Sequence, residues 1–209
     1  YDLPPCSTVQ RECDLTPVQT KLLKALRDEG AAMVAEGTIR GANEAAVLSK
    51  MMQVVLGGVY GLDQKVIQVD ASPRMAELME ILEQLDGRAI IFTPFKESVR
   101  QVSAVVGAKY RIGVITGDVR DTERDEIFAG FQSGMLDHIV AHPRTMSHGL
   151  TLTEASTVIW FGPPDSLETY DQANARITRA GQKSAQLIVH IVASPLERRV
   201  FSRLEKKAA

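Results

Sequence analysis

Apolar positions change their period once along this chain. Between Thr16 and Leu56 they recur every three to four residues: Val18, Leu22, Leu23 and Leu26, then Ala46, Leu48, Met51, Met52 and Val55. That spacing puts each set on one face of a helix. Thr16-Pro17 supplies an N-cap and a first-turn proline for the first helix, which the pattern carries into the alanines after Gly30. The second covers about 44–56 and is ended by Gly57, Gly58 and Gly61. The stretch before Thr16, with Pro4 and Pro5, reads as loop. From Lys65 onward short apolar runs take over, at 66–69, 89–92, 112–115, 138–141, 157–161 and 187–192, and these predict strands. The amphipathic stretches 74–85, 97–106, 122–132 and 167–179 predict helices between them. Continuous apolar strands separated by helices indicate an α/β fold with a parallel sheet of about six strands, covered on both faces. The pattern divides the chain into a helical extension, 1–64, and an α/β unit, 65–209.

Composition narrows the classes without choosing one. A chain of 209 residues with 44% apolar and 24% charged positions can bury an ample core. A formal charge of −2 excludes a nucleic-acid partner held by bulk charge, so any such contact must be local. Cys6 and Cys13 have six residues between them and no second pair or adjacent histidine. That is neither a zinc pattern nor a disulfide framework, and it fits a reduced, cytoplasmic setting. No apolar run reaches membrane-spanning length. An opening tyrosine in place of methionine leads us to expect a fragment of a longer product.

The absent motifs are informative too. No glycine is followed by lysine, so Gly-x-x-x-x-Gly-Lys-Ser/Thr does not occur, and no Gly-x-Gly-x-x-Gly follows the first strand. The Asp-Glu pairs at 28–29 and 125–126 fall in helical patterns and read as solvated helix charge. Against that background Gln172, Arg176 and Arg179 stand out. Arginines three apart on a helix share one face, and paired guanidiniums suit a polyphosphate because each is a fixed, always-charged fork. The bland alternative is a surface helix with two solvated arginines.

Gln172-x-x-x-Arg176-x-x-Arg179 followed by Ala180-Gly181-Gln182 resembles motif six of superfamily-two helicases, in the form used by Swi/Snf-type DNA-translocating ATPases. Other blocks follow that family's order. Leu15-Thr16-Pro17-Val18-Gln19 resembles the start of the segment linking the two motor lobes. Met52 to Gly58 resembles the helix end before the second lobe in compact phage and bacterial members. Ser72-Pro73-Arg74 resembles the opening of that lobe, with arginine for the usual lysine. The run 89–95 resembles motif four. Gly117, Arg124 and Phe131 keep a six-residue spacing, and 148–155 resembles motif five. The family's Ser-Thr-x-Ala-Gly-Gly is here His142 to Ser147, and its asparagine is Thr151.

The resemblance implies a RecA-like second lobe preceded by a linker. It implies ATP with Mg, held mainly by a first lobe not in this sequence. Arg179 then becomes the arginine finger, Arg176 a second phosphate contact and Gln172 the residue that orients them or the attacking water. Gly149 and Thr151 line the same cleft. An inserted arginine is worth roughly 10³–10⁵ in rate in other nucleotide hydrolases. On this reading the isolated lobe does not hydrolyse ATP. The implied partner is DNA, held through backbone phosphates, with Thr93, Lys96, Thr116, Gly117, Arg144, Thr145 and Ser147 as candidates at strand ends. Thr93 and Thr116 could instead cap turns, and Arg124 could pair with Asp118 or Asp121. His142 and His148 read as polar loop residues and Trp160 as core. A stand-alone non-catalytic DNA-binding or regulatory module, or an unrelated nucleotide-binding enzyme, are the other classes this sequence allows.

Overall fold

The structure, a computed structural model, describes residues 5–34, 37–146, 152–178 and 184–208. Strand β1 (Cys6–Glu12) leads into helix α1 (Pro17–Glu29), the antiparallel pair β2 (Ala31–Val34) and β3 (Gly37–Arg40), helix α2 (Glu44–Val55), and a second small pair, β4 (Gly58–Tyr60) and β5 (Val66–Gln68). The α/β alternation follows: α3 (Ser72–Gln84), β6 (Arg88–Phe92), α4 (Lys96–Gly107), β7 (Ile112–Ile115), α5 (Asp121–Gln132), β8 (His138–Ala141), β9 (Ala155–Trp160), α6 (Leu167–Asn174), β10 (Gln186–Val192) and α7 (Pro195–Ala208). The main sheet is six-stranded and parallel throughout, in the order β1-β10-β9-β6-β8-β7.

Alternation along the central strands builds the two layers. Ile90 and Phe92 of β6, Ile139 and Ala141 of β8, and Val158 and Trp160 of β9 pack on one face with Phe128 and Phe131 of α5, Tyr170 of α6 and Phe201 of α7. Ala89 and Ile91, Val140, and Ile159 and Phe161 point the other way, onto Leu78 and Leu82 of α3 and Val99 and Val102 of α4. Both faces are therefore apolar, as the uninterrupted strand sequences require. A third cluster lies apart, where Leu22 and Leu26 of α1, Ile39, Val54, Val59 and Ile67 close over the small strand pairs.

Four local readings of the sequence are corrected here. First, α1 does not run on: Gly30 adopts φ 66° and its N–H closes on the Leu26 carbonyl. The left-handed turn that glycine permits sends Ala31–Val34 away as a strand. Second, the run at 66–69 is a strand outside the main sheet. Its place as sixth strand is taken by β1, from a stretch read as loop. β1 is polar because its faces are exposed. It is held at the edge by its ladder to β10 and by Arg11, whose guanidinium reaches Glu77, Glu80 and Gln84 on α3. Third, α6 stops at Asn174 rather than 179. Ile177 is drawn fully into the core, and the Thr178 hydroxyl donates to the Asn174 carbonyl that would have continued the helix. Fourth, α7 was not foreseen.

Candidate functional site

Strand order alone marks one end of this sheet. From β6 the chain crosses by α4 toward β7, and from the adjacent β9 it crosses by α6 toward β10, on the opposite side. Loops that diverge from neighbouring parallel strands leave a crevice beyond their carboxyl ends. A groove of about 910 Å³ lies there, walled by Pro94 and Phe95 after β6, Pro143 and Arg144 after β8, Pro163, Pro164 and Asp165 after β9, and the flanks of α2 and α7.

Two smaller concavities adjoin it, and they gather most of the residues singled out in the sequence. Lys96, Thr116, Gly117, Arg144 and Thr145 line one of about 340 Å³, together with Asp118 and His142. Gln172 and Arg144 line the other, of about 260 Å³, with Glu168 and Thr169. Arg144 is exposed and common to all three spaces. Its guanidinium pairs with Asp165 across the β8 and β9 loops. Lys96, at the first turn of α4, pairs with Asp118 after β7, and that hydrogen bond raises the lysine pKa. Gly117 is open: a Cβ there would meet nothing within 4 Å. Gln172 projects from α6 into solvent and donates to Glu168 at 3.0 Å.

Other predicted contacts turn out to hold the loops in shape. Thr93 is fully buried. Its N–H donates to the Ala141 carbonyl, and its hydroxyl meets Ser98 Oγ, which donates to the Phe95 carbonyl. Its side chain is therefore a turn cap rather than a DNA contact. The Thr145 hydroxyl donates to the His142 carbonyl at 2.6 Å, closing the 3-10 turn Pro143–Met146. Arg124 is an intramolecular partner, 3.4 Å from Asp121 and 3.3 Å from the Val119 carbonyl. His142 links two loops through its ring: Nε2 lies 2.9 Å from the Pro94 carbonyl and Nδ1 accepts from the Arg144 N–H at 3.3 Å. Burial pushes its pKa below the ordinary histidine value. That favours the neutral ring with its proton on Nε2.

Arg176 is not the helix-face guanidinium that the spacing predicted. It sits in the turn after α6 and is buried. Its carbonyl accepts from the Leu152 N–H at 3.1 Å, so the segments resembling motifs five and six are joined through backbone. Ser147, Gly149, Thr151 and Arg179 lie outside the described residues.

Beneath the rim is a polar layer that the sequence did not reveal. Arg74, at the start of α3, is 1% exposed and pairs with the fully buried Glu197 of α7. Its Nη1 also donates to the Phe161 carbonyl, just after β9, and to the Ile191 carbonyl, one residue before the end of β10. The second Glu197 oxygen accepts from Ala193 N, Ser194 N and Ser194 Oγ at 2.9–3.0 Å. On the other face Trp160 donates from Nε1 to Asn174 at 3.0 Å, fixing the end of α6. Tyr170 OH meets His190 Nε2 at 2.9 Å, and the His190 ring stacks on Phe201 with centroids 3.9 Å apart. Burial pushes the Tyr170 pKa up to about 12 and holds His190 down to about 4. The signal for the ion pair was the arginine replacing lysine at 74. For the aromatic layer there was none.

The matched family is "Helicase conserved C-terminal domain", over residues 73–181, more than half of the chain. The chain belongs to this family. Among curated relatives, human ATP-dependent RNA helicase DDX50 is 28% identical over 194 residues, 91% of this chain and 25% of that protein. ATP-dependent RNA helicase RhlB of Shewanella frigidimarina is 33% identical over 121 residues, 55% of this chain and 28% of that protein. The chain thus spans about a quarter of the length of these relatives. Among solved structures, the Sulfolobus solfataricus SWI2/SNF2 ATPase core domain matches with a TM-score of 0.72 at 24% identity, covering 99% of this chain and 44% of that one. The C-terminal part of the Fun30 ATPase domain matches at 0.67 and 15%, covering 96% and 89%. The C-terminal domain of the DEAD-box protein Dbp5 matches at 0.57 and 19%, covering 66% and 79%. The fold is that of a RecA-like C-terminal helicase lobe. Among the described residues no helix is long and apolar enough to cross a membrane, and no cluster of three or more His, Cys, Asp or Glu is placed to hold a metal ion.

Proposed function

We propose that this chain is the second lobe of a Swi/Snf-type motor, with a linker over 1–64 whose first strand, β1, also completes the lobe's sheet, and that it couples ATP hydrolysis at an interlobe cleft to movement along duplex DNA. The observation that carries the reading is the extent of likeness. The Sulfolobus SWI2/SNF2 core covers 99% of this chain, N-terminal extension included, whereas the Dbp5 domain covers 66%. Arg179 is the arginine finger on this reading, and Gln172 stands on the exposed rim of α6, where it can reach a nucleotide held by the other lobe. On this reading ATP and Mg are held mainly by the first lobe. Burial of Arg176 supports a change from the sequence expectation: its backbone bond to Leu152 ties together the segments that resemble motifs five and six. Lys96, Gly117 and Arg144 present cations and open backbone to nucleic-acid phosphates. The free thiols Cys6 and Cys13 fit a reduced, cytoplasmic setting.

A second reading, an RNA-dependent motor, is favoured by the curated relatives, which carry the name RNA helicase. The test is steady-state ATP hydrolysis by the protein carrying both lobes, with duplex DNA, single-stranded RNA or neither. Stimulation by duplex DNA, and a loss of two or more orders of magnitude in Arg179→Ala with folding intact, is the expected result. Stimulation by RNA alone replaces the substrate, and unchanged hydrolysis in the variant removes Arg179 from the cleft.

A further inference from the structure

Helix α7 lies beyond the residues matched by the family, 73–181, and its charges are sorted. Its two acidic side chains turn toward the protein: Glu197 is buried against Arg74, and Glu205 faces His190 Nδ1 at 3.5 Å. Arg198 is tied to Glu12 of β1 at 3.1 Å. The remaining described cations, Arg199, Arg203 and Lys206, are exposed. At spacings of four and three they form one stripe along the helix, and none has a carboxylate partner among the described residues.

Helix electrostatics explains only part of this. A cation in the last turn, such as Lys206, is favoured by the helix dipole, but arginines in the first and middle turns gain nothing from it. In a chain of net charge −2, an unpaired stripe of three cations is a local field of the opposite sign. Its position gives the field a use. Arg203 lines the groove at the strand ends, and Arg144 lines that same groove and the concavity holding Lys96, Thr116 and Gly117. Cations therefore continue from the β6 and β7 loops, across the groove, and along α7.

The geometry points to α7 as a second nucleic-acid contact surface, in which Arg199, Arg203 and Lys206 hold backbone phosphates of the strand that crosses the Arg144 rim. This rests on the nucleic-acid reading above and extends the track beyond the family's motifs. Such contacts are independent of base sequence and act through released counterions. Each neutralised phosphate contributes a slope of about −0.7 to −0.9 in log affinity against log salt.

The experiment is a salt titration of binding by fluorescence anisotropy, using the whole protein with labelled mixed-sequence duplex DNA and single-stranded RNA. The wild type is compared with Arg199→Gln/Arg203→Gln/Lys206→Gln and with Arg144→Gln. All four positions are exposed, and unchanged thermal unfolding checks the fold. The triple variant is expected to bind at least tenfold more weakly near 100 mM salt, with a slope shallower by about two units, on whichever nucleic acid the wild type binds. An unchanged slope in the triple variant, with weakened binding in Arg144→Gln, overturns the α7 surface and leaves the nucleic-acid reading standing. Absence of wild-type binding to either probe overturns both.

Discussion

Two sets of polar pairs sit within a few residues of each other at the carboxyl end of the sheet. On the rim, Arg144–Asp165 and Lys96–Asp118 join neighbouring loops, with every side chain more than half exposed. Beneath it, Arg74–Glu197, Trp160–Asn174 and Tyr170–His190 are closed off from water. The chemistry is similar but the consequences differ. An exposed ion pair contributes about 0–1 kcal/mol and exchanges readily for another partner. A buried charge without its partner costs several kcal/mol. The lower layer can therefore fix the loops, while the upper layer stays free to trade a carboxylate for a phosphate.

The largest test of this division is at Arg74. Arg74→Met leaves Glu197 buried with only backbone and Ser194 donors, and it releases the carbonyls of Phe161 and Ile191. The expected loss is about 3–5 kcal/mol in urea unfolding. Adding Glu197→Gln to Arg74→Met should recover a large part, because the uncompensated charge is gone. A loss below about 1 kcal/mol in the single variant would mean that the lower layer is not what holds the strand ends together.

The aromatic side of that layer makes a pH prediction. His190 is fully buried, and desolvation depresses its pKa from 6.5 to about 4. A depressed value favours the neutral ring in the folded state. Its contribution is therefore complete above about pH 6.5, declines as pH falls through the interval, and is gone below about 4. At about 1.4 kcal/mol per unit the ceiling is about 3 kcal/mol. Burial lowers the His138 and His142 values as well, so the whole protein should lose stability on mild acidification. Urea unfolding at pH 7.5 and 4.5 should show a smaller acid loss in His190→Phe than in wild type. An identical loss would mean that His190 becomes charged in place, paired with Glu205.

How much of this was legible depended on whether a residue's role shows in local spacing. The central strands and their flanking helices were readable because both faces are apolar, which leaves uninterrupted runs such as Ile90-Ile91-Phe92 and Val158-Ile159-Trp160. β1 escaped because its side chains face solvent and only its backbone joins the sheet. α6 was overrun because nothing local distinguishes Ile177 on a helix face from Ile177 folded into the core beyond it. At the site, order along the sequence was enough to bring Lys96, Thr116, Gly117, Arg144 and Gln172 to one rim. It could not separate Thr93, a buried cap, from an open hydroxyl. Pairs such as Arg74 with Glu197 span 123 positions, and no periodicity reports them.

The smallest expected effect is the most selective test of the rim. If Asp165 only occupies Arg144 until a phosphate arrives, the two members of the pair should respond in opposite directions. Both are more than half exposed, so Arg144→Gln and Asp165→Asn should each change stability by less than about 1 kcal/mol. Nucleic-acid affinity should separate them. Arg144→Gln should weaken binding roughly threefold, about 0.6 kcal/mol and within the range of an exposed pair. Asp165→Asn should tighten it by a similar factor, because it frees the guanidinium and removes a negative charge from the groove. The Asp165→Asn gain should shrink as salt is raised past the point where the Debye length approaches 3 Å, near 1 M. Weakening in both variants would show that the pair is a tether holding the β8 and β9 loops, placing it with the buried layer despite its exposure.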